Sequence, residues 1–217
     1  MPDSEASAPD HIPLALEPFA QTVPATVIER TAAALRAHGF EVLLAANQAE
    51  ARQLVLGLLP AGAEVGQGAS TSLAELGLTE VIEESGRYDA LSPRLRSMDR
   101  RTEGRSMRKL RAAPDYFLSS VQAVSEDGRL VLASFGGSQL GPIASGAGQV
   151  ILVVGVQKIV PDLAAAFERI EHYSLPREDA RLMALRGVKS ATNKLLVLNG
   201  ELAGRIVVIL VGESLGD

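Results

Sequence analysis

The sequence contains no cysteine, which excludes disulfides, thiolate nucleophiles and cysteine-ligated metal clusters in one step. Its three histidines, His11, His38 and His172, lie too far apart in sequence to suggest a histidine-built metal site. Tryptophan is absent and aromatic residues make up 4%, too few for a platform on which bases stack; with a net charge of −5, nucleic acid is not an expected partner. No apolar run approaches the roughly 18 residues of a membrane-spanning helix. The acidic opening MPDSEASAPDHIP also lacks the basic-then-apolar order of an export signal, so the expected location is cytoplasmic.

What is present is material for a large core, since 47% of the 217 residues are hydrophobic. Residues 1–20, with Pro2, Pro9, Pro13 and Pro18, are expected to form a flexible arm, and residues 21–217 one α/β domain. Charge is uneven. Between Arg94 and Ala112 stand Arg94, Arg96, Arg100, Arg101, Arg105, Arg108, Lys109 and Arg111 against only Asp99 and Glu103. Such a stripe is most simply a solvated helix face; the alternatives are a surface that steers anions, a lid or mobile segment over 92–113, or a docking surface for an acidic partner.

Along the chain, helical and extended patterns alternate, which is the signature of a parallel sheet with crossover helices. A first helix is predicted over Pro24 to His38, with Gly39 as its left-handed stop. A strand follows at Phe40 to Leu44, then a helix opened by Asn47 and Glu50 in a capping-box spacing, with Ala51, Leu54, Val55 and Leu58 as its apolar stripe. Ala63 to Val65 is the next strand. It runs into Gly66-Gln67-Gly68-Ala69-Ser70-Thr71-Ser72, where Ser72 and Glu75 are placed to cap a short helix. Glycines there let backbone N–H groups approach a ligand, and hydroxyls add donors. An acidic helix over Thr79 to Ser85, a short strand at Tyr88 to Leu91 and a basic helix over Thr102 to Ala112 come next.

Two alternating runs between Ser120 and Ser134 meet at Asp127-Gly128, which predicts a hairpin with a tight two-residue turn. Beyond the glycine-rich Ser134 to Pro142 comes Gln149 to Gly155, an apolar β-branched run expected to be a strand covered on both faces. A helix from Pro161 to about His172 follows, then an irregular passage from Ser174 to Asn193. Leu195 to Leu198 and Ile206 to Val211 are predicted strands, the latter inside the sheet.

The segments Asp115 to Leu118, Ala123 to Gly128, Gly137-Ser138-Gln139 and Val153 to Leu163, with the Gly66 to Ser72 loop and the closing Arg205 to Val208, together resemble the LUD domain, of the lactate-utilisation protein C type. That resemblance implies a three-layer α/β/α fold with a mostly parallel mixed sheet, similar to sugar-phosphate isomerases and CoA transferases, and a link to lactate utilisation. It supplies no catalytic mechanism. Some branches of the family carry a cysteine cluster late in the chain; here Ser190, Ala191 and Thr192 stand instead, so no iron–sulfur cluster is expected and no other cofactor is implied.

In an open α/β sheet, ligands lie at the carboxyl ends of the strands. The expected ligand is therefore a small anionic or nucleotide-like molecule held by Gly66, Gly68, Ser70, Thr71, Ser72, Gly137, Ser138 and Gln139, with Lys158 as counter-charge. The rival readings are an isomerase or acyl-CoA transferase in which Glu103 or Glu126 acts as base or nucleophile, and a non-catalytic adaptor docking on protein partners in a lactate-oxidising complex.

Overall fold

A computed structural model of the chain describes residues 19–202 and 204–216. Of the expected arm, only Phe19 and Ala20 fall within that range.

The main sheet is built from strands that follow the crossover pattern: β1 (Glu41–Ala45), β2 (Glu64–Gln67), β3 (Asp89–Ala90), β4 (Tyr116–Ser119), β7 (Gln149–Gly155) and β10 (Ile206–Val211). Their order is β1-β10-β7-β4-β2-β3, and each neighbouring pair is parallel. The antiparallel part of the fold is set apart in a second sheet, made of β5 (Ala123–Ser125), β6 (Leu130–Ser134), β8 (Ile159–Val160) and β9 (Lys194–Leu198) in the order β8-β5-β6-β9.

Burial explains the central strands. In β7, Val150, Leu152 and Val154 face one apolar cluster and Ile151 and Val153 the other; in β10, Ile206, Val208 and Leu210 oppose Val207, Ile209 and Val211 in the same way. Both strands thus bury two faces, as their unbroken apolar character requires. The first face is covered by α1 (Ala25–Ala37) through Ala32 and Leu35, and by Val124, Leu130 and Leu132 of the small sheet. The second is covered by α2 (Gln48–Leu58), α3 (Thr71–Glu75) and α4 (Leu78–Glu84) through Ala51, Val55, Leu73, Leu78 and Ile82. Helices thus flank a mostly parallel sheet in three layers, and α7 (Leu163–Arg169) packs Ala166 on the outer face of the small sheet.

Local signals work where they are strongest. Gly39 ends the first helix with φ +87°, and Asn47 accepts from the Glu50 N–H at 3.0 Å. Three expectations are corrected. The hairpin turn has three residues, not two. Gly128 N–H donates to Ser125 O at 2.8 Å, Ser125 N–H donates to Arg129 O, and only Gly128 has a positive φ (+86°), which makes a type I turn with a glycine bulge. Ser70, not Ser72, caps α3: its Oγ accepts from Leu73 N–H, and Ser72 is fully buried. Finally, the passage from Ser174 to Asn193 is helical as far as Arg186 and irregular only beyond it. A π-turn over Ile170–Ser174 continues α7 into α8 (Leu175–Arg186), because Pro176 falls in the first turn, where the missing N–H costs nothing, and Gly187 closes the helix with φ +66°.

The hairpin yields a contrasting pair of variants. A Cβ on Gly128 would stand 2.6 Å from the backbone carbon of Ala34, in addition to the unfavourable φ. Gly128→Ala should therefore cost about 2 kcal/mol or more, since the left-handed region alone costs roughly 1–2 kcal/mol. Asp127→Asn removes an exposed ion pair with Arg129 but keeps an amide oxygen that can accept from Ser125 Oγ, so it should change stability by less than about 1 kcal/mol. Urea denaturation of both variants checks the contrast.

Candidate functional site

Because the main sheet is parallel, β2, β4 and β7 release the chain at the same edge. The residues that follow them are Gly68, Ser120 and the 3₁₀ turn Val156–Lys158. Gly68 N–H donates to Leu118 O at 2.9 Å, which holds the glycine loop against the end of β4. A Cβ on Gly68 would lie 2.5 Å from Ser119 Oγ and 3.1 Å from Gln139 Oε1. The two glycine-rich segments therefore meet here, although some 70 residues separate them. Gln139 is positioned by its Nε2, which donates to Ala133 O at 3.1 Å; Gly137 takes φ +82° and donates its N–H to Ser134 Oγ at 2.9 Å.

The cleft above this edge has two lobes with volumes of about 790 and 910 Å³. Gly66 and Gly68 line the smaller lobe; Gly137, Gln139 and Lys158 line the larger; Ser70, Thr71 and Ser138 line both. Ser72 lines neither. It lies beneath the floor and accepts from Lys158 Nζ at 3.1 Å, while Lys158 also donates to Ser120 Oγ at 3.2 Å. Lys158 is 2% exposed. Gly66 serves packing as well as lining, since a Cβ there would lie 3.0 Å from the Phe117 ring. The helix after the glycine loop has only five residues, too short for a substantial dipole, so attraction for anions has to come from side chains.

Those side chains are supplied largely by α6 (Arg100–Ala112), which is capped by Asp99 and preceded by α5 (Leu91–Ser97). Met107 anchors α6 against Leu91 and Leu95, and on the cleft side Arg100, Arg108 and Arg111 recur at helical spacing. Among the described residues none of the ion pairs involves these three arginines. Burial, and then the charge of Arg100, push the Arg111 guanidinium below its ordinary value, though it remains cationic at neutral pH. Two like charges are thus held at one cleft wall, an arrangement that a bound anion relieves. Helix α8 also lines the larger lobe, with Glu178 and Arg181 paired at 2.7 Å.

Three groups of lining residues are absent from the site expected from sequence. Ser119 and Ser120 carry no motif of their own, and the α6 arginines read as a solvated stripe. The α8 residues sit in a stretch expected to be irregular, although Pro176 and Gly187 bracket a helix. The two carboxylates of the enzyme reading lie elsewhere: Glu126 is paired with Arg30, and Glu103 accepts from Asp99 N–H at 2.8 Å at the start of α6. Neither lines the cleft. Among the described residues no group of acidic or histidine side chains is placed to hold a metal, and no helix is long and apolar enough to cross a membrane.

The family model of the LUD domain matches residues 28–211. The chain belongs to the LUD domain family. A crystal structure of a DUF162 family protein from Deinococcus radiodurans is similar in fold, with a TM-score of 0.54 over 86% of this chain and 97% of that one, at 13% sequence identity. No curated protein matches the chain. Membership of the LUD domain family supports a protein related to lactate utilisation. The cleft at the carboxyl edge of the LUD sheet lies within the matched residues.

Proposed function

We propose that this LUD-type protein, in its link to lactate utilisation, binds a small anionic ligand, a carboxylate or a phosphate-bearing nucleotide-like molecule, in the two-lobed cleft. The observation that carries the reading is the meeting of Gly68 with Gln139 in a cleft that Arg100 and Arg111 also line. The glycine leaves room for close approach, the hydroxyls of Ser70, Thr71 and Ser138 supply donors, and the arginines supply charge. The combined lobes suit a molecule with an anionic end and a larger, partly apolar body, for which Leu91, Leu95, Met107 and Phe117 line the smaller lobe.

A thermal-shift screen of inorganic phosphate, short hydroxy acids, sugar phosphates, nucleotides and CoA esters tests this. A ligand at 100 times its Kd should stabilise by about 2.7 kcal/mol. Arg111→Gln should weaken the best ligand by roughly 1.5–3 kcal/mol, the range for a charge-assisted hydrogen bond. If every anion leaves the melting temperature unmoved, or Arg111→Gln binds as tightly as the parent, the cleft is not an anion site.

A further inference from the structure

We propose that Ser120 is a lysine-activated nucleophile and that the cleft performs acyl transfer from an ester or thioester of a small carboxylic acid. Three side chains from three separate strand ends converge beneath the larger lobe. Ser120 follows β4, Lys158 closes the turn after β7, and Ser72 lies in α3 beyond β2. Lys158 Nζ lies 3.2 Å from Ser120 Oγ and 3.1 Å from Ser72 Oγ, and the two hydroxyls are 3.4 Å apart. Ser72 is itself tied to Leu215 O at 3.3 Å. A hydroxyl in hydrogen-bond reach of a base, with that base oriented by a third group, is the arrangement that activates a serine; serine–lysine pairs form one of its known variants.

Roles follow from exposure. Ser72 is fully buried and lines neither lobe, so it is a positioning residue for Lys158. Ser120, 8% exposed, and Lys158 both line the larger lobe; the Ser120 hydroxyl donates to Val121 O at 3.4 Å and turns from it toward neutral Lys158 when an acyl group occupies the lobe. In the neutral form Lys158 Nζ takes the Ser120 proton as Oγ bonds to the acyl carbon. Collapse of the tetrahedral intermediate breaks the bond to the leaving alcohol or thiol, which receives that proton from Lys158. Water then attacks the Ser120 ester, its proton passes through Lys158 back to Ser120 Oγ, and the free acid departs. Atoms balance without an oxidant or reductant. Arg100 and Arg111 favour acyl donors that carry a carboxylate or phosphate on the leaving group. The inference shares the cleft of the proposed function and rests on its being accessible to small molecules.

The test uses the full chain and 4-nitrophenyl acetate, an uncharged probe whose reaction does not depend on anion binding. The expected result is a burst of one equivalent of nitrophenolate, with the acetyl group mapped to Ser120 by tandem mass spectrometry. Ser120→Ala should abolish the burst, and Ser85→Ala, which lines neither lobe, should retain it. Lys158→Met should slow acetylation by about 100-fold or more, the usual contribution of a general base. Ser72→Ala should lower kcat with KM unchanged, and Ser72→Thr should restore it. Acetylation absent from Ser120, or a burst that persists in Ser120→Ala, overturns the inference; because that variant deletes one oxygen, it remains decisive even if Lys158→Met fails to fold. Competition of the burst by phosphate or a nucleotide reads the anion site separately: its absence counts against the proposed function alone.

Discussion

Replacing Gly68 by valine is expected to abolish ligand binding in the cleft while the protein still folds. The Cβ position is 2.5 Å from Ser119 Oγ and 3.1 Å from Gln139 Oε1, so both contacts are with side chains rather than backbone. A β-branched side chain relieves itself only by driving those groups into the lobe that a ligand would occupy. Overpacking of this kind costs about 1–3 kcal/mol, less than the roughly 5–15 kcal/mol by which folded proteins are usually stable. Calorimetric titration with the best anion from the screen, alongside thermal melting, separates the two effects: affinity should vanish and a cooperative transition should remain. A variant that binds with the parent's affinity places the ligand away from the glycine loop.

The second large effect concerns Gly146, in the π-turn Pro142–Gly146. A Cβ there would lie 1.8 Å from Ala112 O and 2.9 Å from its carbonyl carbon, which is the backbone at the end of α6. The turn cannot readily retreat, because the Arg205 guanidinium donates to Ile143 O at 2.7 Å and to Pro142 O at 3.4 Å. Gly146→Ala should therefore cost about 3 kcal/mol, the upper part of the overpacking range. It should also weaken ligand binding, since α6 carries Arg111 to the cleft. Gly136→Ala is the control: nothing lies within 4 Å of its Cβ position, so its cost should stay within about 0.5 kcal/mol. Equal denaturation midpoints for the two variants would show that α6 and the π-turn are not in fixed contact.

Legibility in the sequence follows the range of the interactions. Strands β7 and β10 are readable because burial on both faces demands an uninterrupted apolar run, and their shortness and β-branched residues separate them from a buried helix. Helix α1 is readable because Gly39 marks its end. The turn at Asp127-Gly128 is placed correctly by its sequence but given the wrong geometry: a dipeptide signals reversal, whereas the count of loop residues depends on how Ser125 pairs with Arg129. Helix α8 escapes a sequence reading that weighs Pro176 as a breaker rather than as a first-turn residue. Of the cleft, the glycine loops and Lys158 are legible. That Arg111 and Ser138 line one cleft, or that Lys158 reaches Ser72 and Ser120, is settled by strand order, and no local pattern encodes it.

The strand order has a consequence for how the chain is made. Strand β1 leaves the ribosome early, but its one partner in the main sheet is β10, the final strand among the described residues. Until β10 emerges, β1 has no neighbour and β7 keeps an open edge on that side. Synthesis therefore proceeds with two unpaired apolar strand edges, the state in which nascent chains associate wrongly and chaperones engage them. Closure comes at once when Ile206 to Val211 inserts between them, so ribosome-stalled chains lacking that strand should be protease-sensitive throughout β1 and aggregate on release.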